Sequence, residues 1–192
     1  MIIMKRGRIM ELKIERGRPL DEGGRLPKEI KVYDYLDKLG IEYDRVDHPA
    51  YDTMEDCTAT DELLGVGTVK NLLLCNSQKT EFYMLLMPAD KKFKTKELSK
   101  QIGSARLSFA SGELMEQLLD ITPGSLTVLG LINDEEKRVR LLIDRDVQAS
   151  EYIVAHPCIN TSSLKIKTED IMKVFLPSLK REPVFVELFG ED

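Results

Sequence analysis

Thr68–Cys75 reads TVKNLLLC, and five polar residues later Glu81–Met87 reads EFYMLLM. Two strand-sized apolar runs joined by the short NSQKT connection predict an adjacent antiparallel pair, strands 69–75 and 81–87. Lys70 and Asn71 stand at the head of the first run, where an ammonium and a carboxamide sit oddly for a buried strand. The lysine either snorkels its charge to water or supplies a fixed cation for a phosphate or an oxyanion, with Asn71 offering a donor and an acceptor beside it.

On the N-terminal side, Pro27 suits a first helical turn, Val32, Tyr35, Leu36 and Leu39 share one apolar face, and Gly40 supplies a stop, so a helix is expected over 27–39. IEYDRVDHP then alternates as a half-buried strand with Ile41, Tyr43 and Val46 inward, ending at the His48-Pro49 turn. Thr53 followed by Asp56 reads as a helix cap with an acid in the first turn, which predicts a helix over 54–64 closed by Gly65.

On the C-terminal side, KTKELSKQIG and SGELMEQLLD read as helices, the second capped by Ser111 with Leu114, Leu118 and Leu119 buried, and ARLSFA between them as a short strand. After Thr122-Pro123-Gly124, strands are expected over 125–132 and 138–144 around an NDEEK hairpin loop, then over 158–165. Thr168 is expected to cap a last helix reaching Phe175 before Pro177. Neighbouring antiparallel strands with helices between them favour α+β over a doubly wound parallel sheet.

Residues 1–25 carry Lys5, Arg6, Arg8, Lys13, Arg16, Arg18 and Arg25 without a sustained period, and read as a basic N-terminal extension to a single domain over 26–192. A chain of 192 residues suffices for one core. With 42% hydrophobic and 32% charged residues, the composition excludes disordered and fibrous classes. The longest apolar runs are strand-sized, well short of the roughly 18–20 residues that cross a bilayer, and the basic start lacks a signal-peptide core, so a cytoplasmic protein with no membrane partner is expected. Cys57, Cys75 and Cys158 form no C-x-x-C pair and fit reduced thiols.

A net charge of −5 argues against a protein that coats nucleic acid. It leaves room for a local basic site, and DKKFKTKELSK gathers Lys91, Lys92, Lys94, Lys96 and Lys100, either as a solvated helix entry or as a surface for an anionic polymer. Neither nucleotide-binding glycine loop is present, nor a G-x-S-x-G elbow. His156 and Cys158 lack zinc spacing, so no metal and no cofactor is expected, and nothing local shows a Cys158 nucleophile served by His156.

Two further stretches carry candidate chemistry. In TPGSLTVLGLIND, Gly124 and Gly130 either mark a bulge or let backbone N–H groups near Gly124 and Ser125 face a ligand carbonyl. In AHPCINTSSL, His156 is either a packed turn residue or a site residue, and Asn160, Thr161 and Ser163 add polar groups that satisfy one another or a ligand.

Taken in order, VKNLLLC, MPADKK, RLSFAS, TPGSLTVLGLIND and HPCINTSSL resemble the YbaK/ProX family of aminoacyl-tRNA editing domains, most of all its freestanding ProX branch that hydrolyses alanyl-tRNA(Pro). The resemblance covers roughly residues 27–177. It implies a mixed α+β fold around a largely antiparallel central sheet with flanking helices, and water-driven deacylation of the acceptor end of mischarged tRNA(Pro), with prolyl-tRNA synthetase as a further candidate partner. Lys70 matches the family's essential lysine and Asn71 its neighbour; Gly124 and Ser125 match the loop whose amides face the carbonyl; His156 matches the histidine of the amino-acid pocket. Val128 stands where the family loop G-x-x-x-P-x-G has proline, ahead of Gly130, and both are assigned with Asn160 and Thr161 to the substrate pocket. Lys91, Lys92 and Lys94 are assigned to tRNA binding, as a candidate surface for the acceptor stem. Two alternatives remain at this point: Cys-tRNA(Pro) or Ser-charged tRNA as substrate, suggested by Val128, and a noncatalytic sensor of an amino acid or aminoacyl-tRNA, suggested by the basic extension.

Overall fold

A computed structural model of the chain describes residues 1–5, 8–51 and 57–189. The elements run β1 (Ile2–Lys5), β2 (Arg8–Glu11), β3 (Glu15–Arg16), α1 (Pro27–Leu39), β4 (Tyr43–Asp47), α2 (Thr58–Leu64), β5 (Val69–Asn76), β6 (Phe82–Pro88), α3 (Thr95–Ile102), β7 (Leu107–Phe109) and α4 (Gly112–Leu119). A 3-10 helix (Val128–Asn133), β8 (Val139–Asp144), α5 (Arg145–Ala149), β9 (Tyr152–Ala155), β10 (Ser162–Lys167), α6 (Thr168–Asp170), a π-helical turn (Ile171–Phe175), α7 (Leu176–Ser178) and β11 (Val184–Val186) complete the order.

β5 and β6 form the expected antiparallel pair, in register from Val69 opposite Pro88 to Cys75 opposite Phe82. They are the centre of a five-stranded sheet ordered β11-β8-β6-β5-β7. Their apolar runs are continuous because both faces are covered. Leu73, Met84 and Leu86 pack into the larger core with α1, α4 and the 3-10 helix. Leu74, Leu85 and Met87 pack on the other side with Leu98 of α3 and Val186 of β11.

A second sheet, β3-β4-β10-β9, is antiparallel throughout. Its strand β4 is also lined on both faces, with Tyr43 in the larger core and Val46 in a third cluster beside Leu12 and Leu64. The α+β class and the antiparallel-rich sheets therefore stand. The antiparallel majority is broken at two places, where β8 runs parallel to β6 and β11 parallel to β8.

That parallel strand corrects the reading of 125–134. Residues 125–132 are not a strand: the Thr127 hydroxyl accepts from Leu129 N at 3.3 Å and starts the 3-10 helix, whose Val128, Leu129 and Leu131 are buried. NDEEK is not a hairpin either. The Asp134 carboxylate accepts from Arg138 N at 3.0 Å and Val139 N at 2.8 Å, and pairs with Arg181 at 2.7 Å, turning the chain into β8 alongside β6.

Helix α1 starts at Pro27 and ends against a left-handed Gly40 (φ 66°), although its buried face includes Tyr33 and Glu29 where Tyr35 was expected. The Thr53–Asp56 cap lies outside the described residues, and α2 ends as expected at a left-handed Gly65. Strand β10 begins at Ser162 rather than near 158. Thr168 is the first residue of the last helical segment rather than its cap, and Pro177 lies within that segment, after the π turn. β9, α5 and β11 have no counterpart in the sequence reading.

Within 1–25, β3 pairs with β4 and Leu12 is buried. Arg16 pairs with Glu42, Arg18 with Asp34 and Asp37, and Arg25 with Asp47 and Glu29, so much of the stretch's positive charge is matched by the fold.

Candidate active site

A cavity of about 320 Å³ opens at the head of β5, between the two sheets, and Lys70, Asn71, Gly124 and His156 all line it. Four of the residues singled out in the sequence, from three separate stretches, thus share one concavity. The position of β5 is set from below by Asp61 of α2. Its carboxylate accepts from Thr68 N at 3.0 Å and from Thr68 Oγ1 at 2.6 Å, which clamps the Gly65–Gly67 turn and fixes where Lys70 begins. Burial raises the Asp61 pKa against the pull of these two bonds.

Strand alternation sends Lys70, Leu72 and Leu74 to one face and Asn71, Leu73 and Cys75 to the other. Lys70 Nζ donates to the Ala89 carbonyl at 3.1 Å, a single backbone bond that leaves two of its three protons for other acceptors. Asn71 Nδ2 donates to the Val69 carbonyl at 3.0 Å, which fixes the amide orientation. Its Oδ1 is buried without a hydrogen-bond partner among the described residues. Such a group costs about 1–3 kcal/mol, and a donor brought by a ligand removes that cost.

His156 follows β9 directly. Its Nδ1 lies 2.8 Å from the Ser162 carbonyl, so the proton is on Nδ1 and the Nε2 lone pair is left as the acceptor. Burial pushes its pKa below the ordinary 6.5, and the neutral ring is the form present at pH 7.

Gly124 has φ 90°, a conformation glycine adopts without strain, and a Cβ there would sit 3.4 Å from Asn160 Nδ2. The Ser125 N–H, expected to face a ligand, instead closes a turn to the Thr122 carbonyl at 3.1 Å. The Gly124 N–H donates to no group among the described residues, and Gly124 lines the cavity.

Other expected site residues fall elsewhere. Ser125, Asn160 and Thr161 line a neighbouring cleft with Arg25 and Lys28. Asn160 Nδ2 donates to the Tyr51 carbonyl at 3.2 Å, so Asn160 is a wall between cleft and cavity. Val128 is in the core, and Gly130 is there because a Cβ would lie 2.3 Å from Ile121 Cδ1; neither lines the cavity. Lys91 is tied to the buried Asp144 and to Asp146, at 2.8 Å each, which makes it a structural cation. Lys92 and Lys94 are exposed just before α3.

The sequence reading missed a polar cluster behind the cavity wall, centred on His48 and touching the lining residues Tyr51 and Ser163. His48, taken as a turn residue, is 2% exposed and stacks on Tyr51 with ring centroids 3.9 Å apart. Its Nδ1 meets the Pro49 carbonyl at 2.9 Å and its Nε2 the Ser163 hydroxyl at 2.9 Å. The His48 and His156 rings are 6.0 Å apart. Only the rarity of histidine, two in the chain, could have signalled that both belong to one place. Among the described residues no group of three or more His, Cys, Asp or Glu is arranged to hold a metal ion.

Comparison with known proteins gives the family. The model of the aminoacyl-tRNA editing domain family matches residues 48–174, a span that holds every cavity residue named above. The prolyl-tRNA editing protein ProX of Acetoanaerobium sticklandii is 30% identical over 139 residues, 72% of this chain and 85% of that protein. The prolyl-tRNA synthetase associated domain-containing protein 1 of Danio rerio is 29% identical over 84% of this chain and 86% of its own length. The crystal structure of a candidate trans-editing enzyme for prolyl-tRNA synthetase shares the fold, with a TM-score of 0.63 over 85% of this chain and 97% of that one at 15% identity. The chain belongs to the aminoacyl-tRNA editing domain family.

Proposed function

We propose that the protein is a trans-editing hydrolase that deacylates mischarged Ala-tRNA(Pro) by attack of water on the aminoacyl ester. The observation that carries this reading is the shared cavity: Lys70, Asn71, Gly124 and His156, from three separate stretches of the chain, line one space of about 320 Å³. That volume lies at the lower end of ligand pockets and suits an aminoacyl group better than a whole nucleotide.

In this reading Lys70 holds the phosphate next to the ester, and the Gly124 N–H stabilises the oxyanion that forms on the carbonyl. His156 Nε2 and Asn71 Oδ1 accept from the α-ammonium group and the attacking water. An aminoacyl ester is already activated, so positioning and electrostatics are sufficient. Cys158 is not a nucleophile here: it is outside the cavity, and burial pushes its thiol up to about 12. Residues 26–192 form the catalytic unit, with 1–25 as an extension laid against it, and Lys92 and Lys94 meet the tRNA. Prolyl-tRNA synthetase is the partner from which a mischarged tRNA would be received.

A panel of mischarged tRNAs tests the reading. The protein is expected to deacylate Ala-tRNA(Pro) and spare Pro-tRNA(Pro), with Lys70→Ala at least about 100-fold slower. Preference for Cys-tRNA(Pro) or a Ser-charged tRNA would move the substrate within the same class, and tight binding without turnover would make the protein a sensor.

A second reading rests on Ser163, which lines the cavity with its hydroxyl on His48. In the neutral ring Nδ1 donates to the Pro49 carbonyl, so Nε2 accepts from Ser163, the arrangement of an activated nucleophile.

A further inference from the structure

Phe109 ends the edge strand β7 at the cavity rim: it lines the cavity, yet it is 62% exposed. Its ring is not loose. Phe93 meets it edge to face, with centroids 6.1 Å apart and planes at 69°. Phe93 is flanked in sequence by the exposed Lys92 and Lys94. Phe109 also stands opposite Leu74 in the β5–β7 ladder. The two-residue period therefore puts Phe109 on the same sheet face as Leu72 and Lys70, with Lys70 about 13 Å away along the strand at ~3.3 Å per residue.

An apolar ring braced from one side, open on the other and bordered by cations is the design by which proteins hold unpaired nucleobases. We propose that Phe109 is the stacking platform for an unpaired base of the substrate's single-stranded 3′ end, with Phe93 as its brace and Lys92 and Lys94 beside the adjoining phosphates. The occupant is RNA because the platform is continuous with the cavity and carries positive charge. This assignment rests on the editing function proposed above. It extends that function by placing the nucleoside on the five-stranded sheet, outside the cavity, while the aminoacyl group enters.

The chain has no tryptophan, so Phe109→Trp creates a single fluorescent reporter at the platform. Titration with the uncharged trinucleotide CpCpA is expected to quench its emission saturably. The analogue lacking the terminal base is expected to quench far less, and K92E/K94E in the same background to shift the curve to higher concentration. Equal quenching by the analogue lacking the base, or none by CpCpA, overturns the proposal. So does a change on dilution without nucleic acid, which would assign the surface to a second copy of the chain.

Kinetics separate this proposal from the function on which it rests. With mischarged tRNA, Phe109→Ala is expected to raise KM about 5- to 150-fold, the worth of one stacked base, while Phe109→Trp restores it. Deacylation with KM unchanged by Phe109→Ala overturns the platform and leaves the hydrolase. Base-dependent quenching without deacylation of any mischarged tRNA supports the platform and removes the hydrolase.

Discussion

The Nε2 of His48 and the hydroxyl of Ser163 lie 2.9 Å apart, Ser163 of β10 lining the cavity and His48, in the turn after β4, buried behind it. If water is the nucleophile, this hydroxyl only helps to shape the wall. Ser163→Ala is then expected to lower the single-turnover rate less than about tenfold, whereas loss of a serine nucleophile costs on the order of 10⁶-fold. Cys57, which also lines the cavity, is expected to tolerate alanine in the same way. Mass spectrometry of the quenched reaction should find no acyl group on the protein.

The depressed pKa of His156 gives a signed pH dependence. The unfolded chain takes up this proton near the ordinary 6.5, and the folded chain only at lower pH. Stability from this group is therefore complete above 6.5, and falls as pH drops from there to the lowered value. Thermal melts between pH 5 and 8 of wild type and His156→Gln check it: the variant should lose part of the acid-side slope. Identical slopes would show that His156 titrates alike in both states.

The two loop glycines should fail differently. Gly130→Ala drives a methyl into Ile121, which is itself fully buried, and is expected to cost about 1–3 kcal/mol of stability with little effect on the kcat of the folded fraction. Gly124→Ala meets only ordinary contact at 3.4 Å, but the residue must hold φ 90°, so about 1–2 kcal/mol of strain acts on the loop that carries the cavity donor. Its kcat should fall more than its melting temperature. Paired denaturation and deacylation assays on both variants distinguish these outcomes.

Lys91 should separate from its neighbours. Removing it leaves the fully buried Asp144 without its cation, although Asp144 still accepts from Asp146 N and Leu188 N, at 2.9 and 3.0 Å. Lys91→Ala is expected to destabilise by about 1–3 kcal/mol. K92E/K94E should leave the melting temperature in place and weaken tRNA binding with a shallower salt dependence. Filter binding at several ionic strengths, set beside thermal melts, measures both.

How far the site was readable depended on whether a residue's neighbours in sequence were also its neighbours in space. The β5–β6 pair and α1 were legible because a five-residue connection, a Pro27 start and a Gly40 stop are local signals. The 3-10 helix over 128–133 was read as a strand because a short run of buried apolar residues has no distinguishing period, and the side chain of Thr127 decides the matter. Lys70 and Asn71 drew attention because they head an apolar run, Gly124 and His156 because of their residue types, and the family resemblance joined the four into one site. His48 was missed because a histidine before proline reads as a turn, and its partner Ser163 is 115 residues away. Lys91 was grouped with its neighbours because nothing in DKKFKTKELSK distinguishes the lysine that faces Asp144.

Lys70 and Asn71 belong to the five-stranded sheet, whereas Ser163 belongs to the four-stranded one and His156 directly follows its strand β9. The cavity is thus a gap between two plates, and its width is set by how closely the plates approach. A rotation of a few degrees about their seam would change that width, with no loop having to move. The protein would then gauge the size of what enters as a caliper does, and the apolar lining residues Leu73 of one plate and Ala155 of the other would set the opening of its jaws.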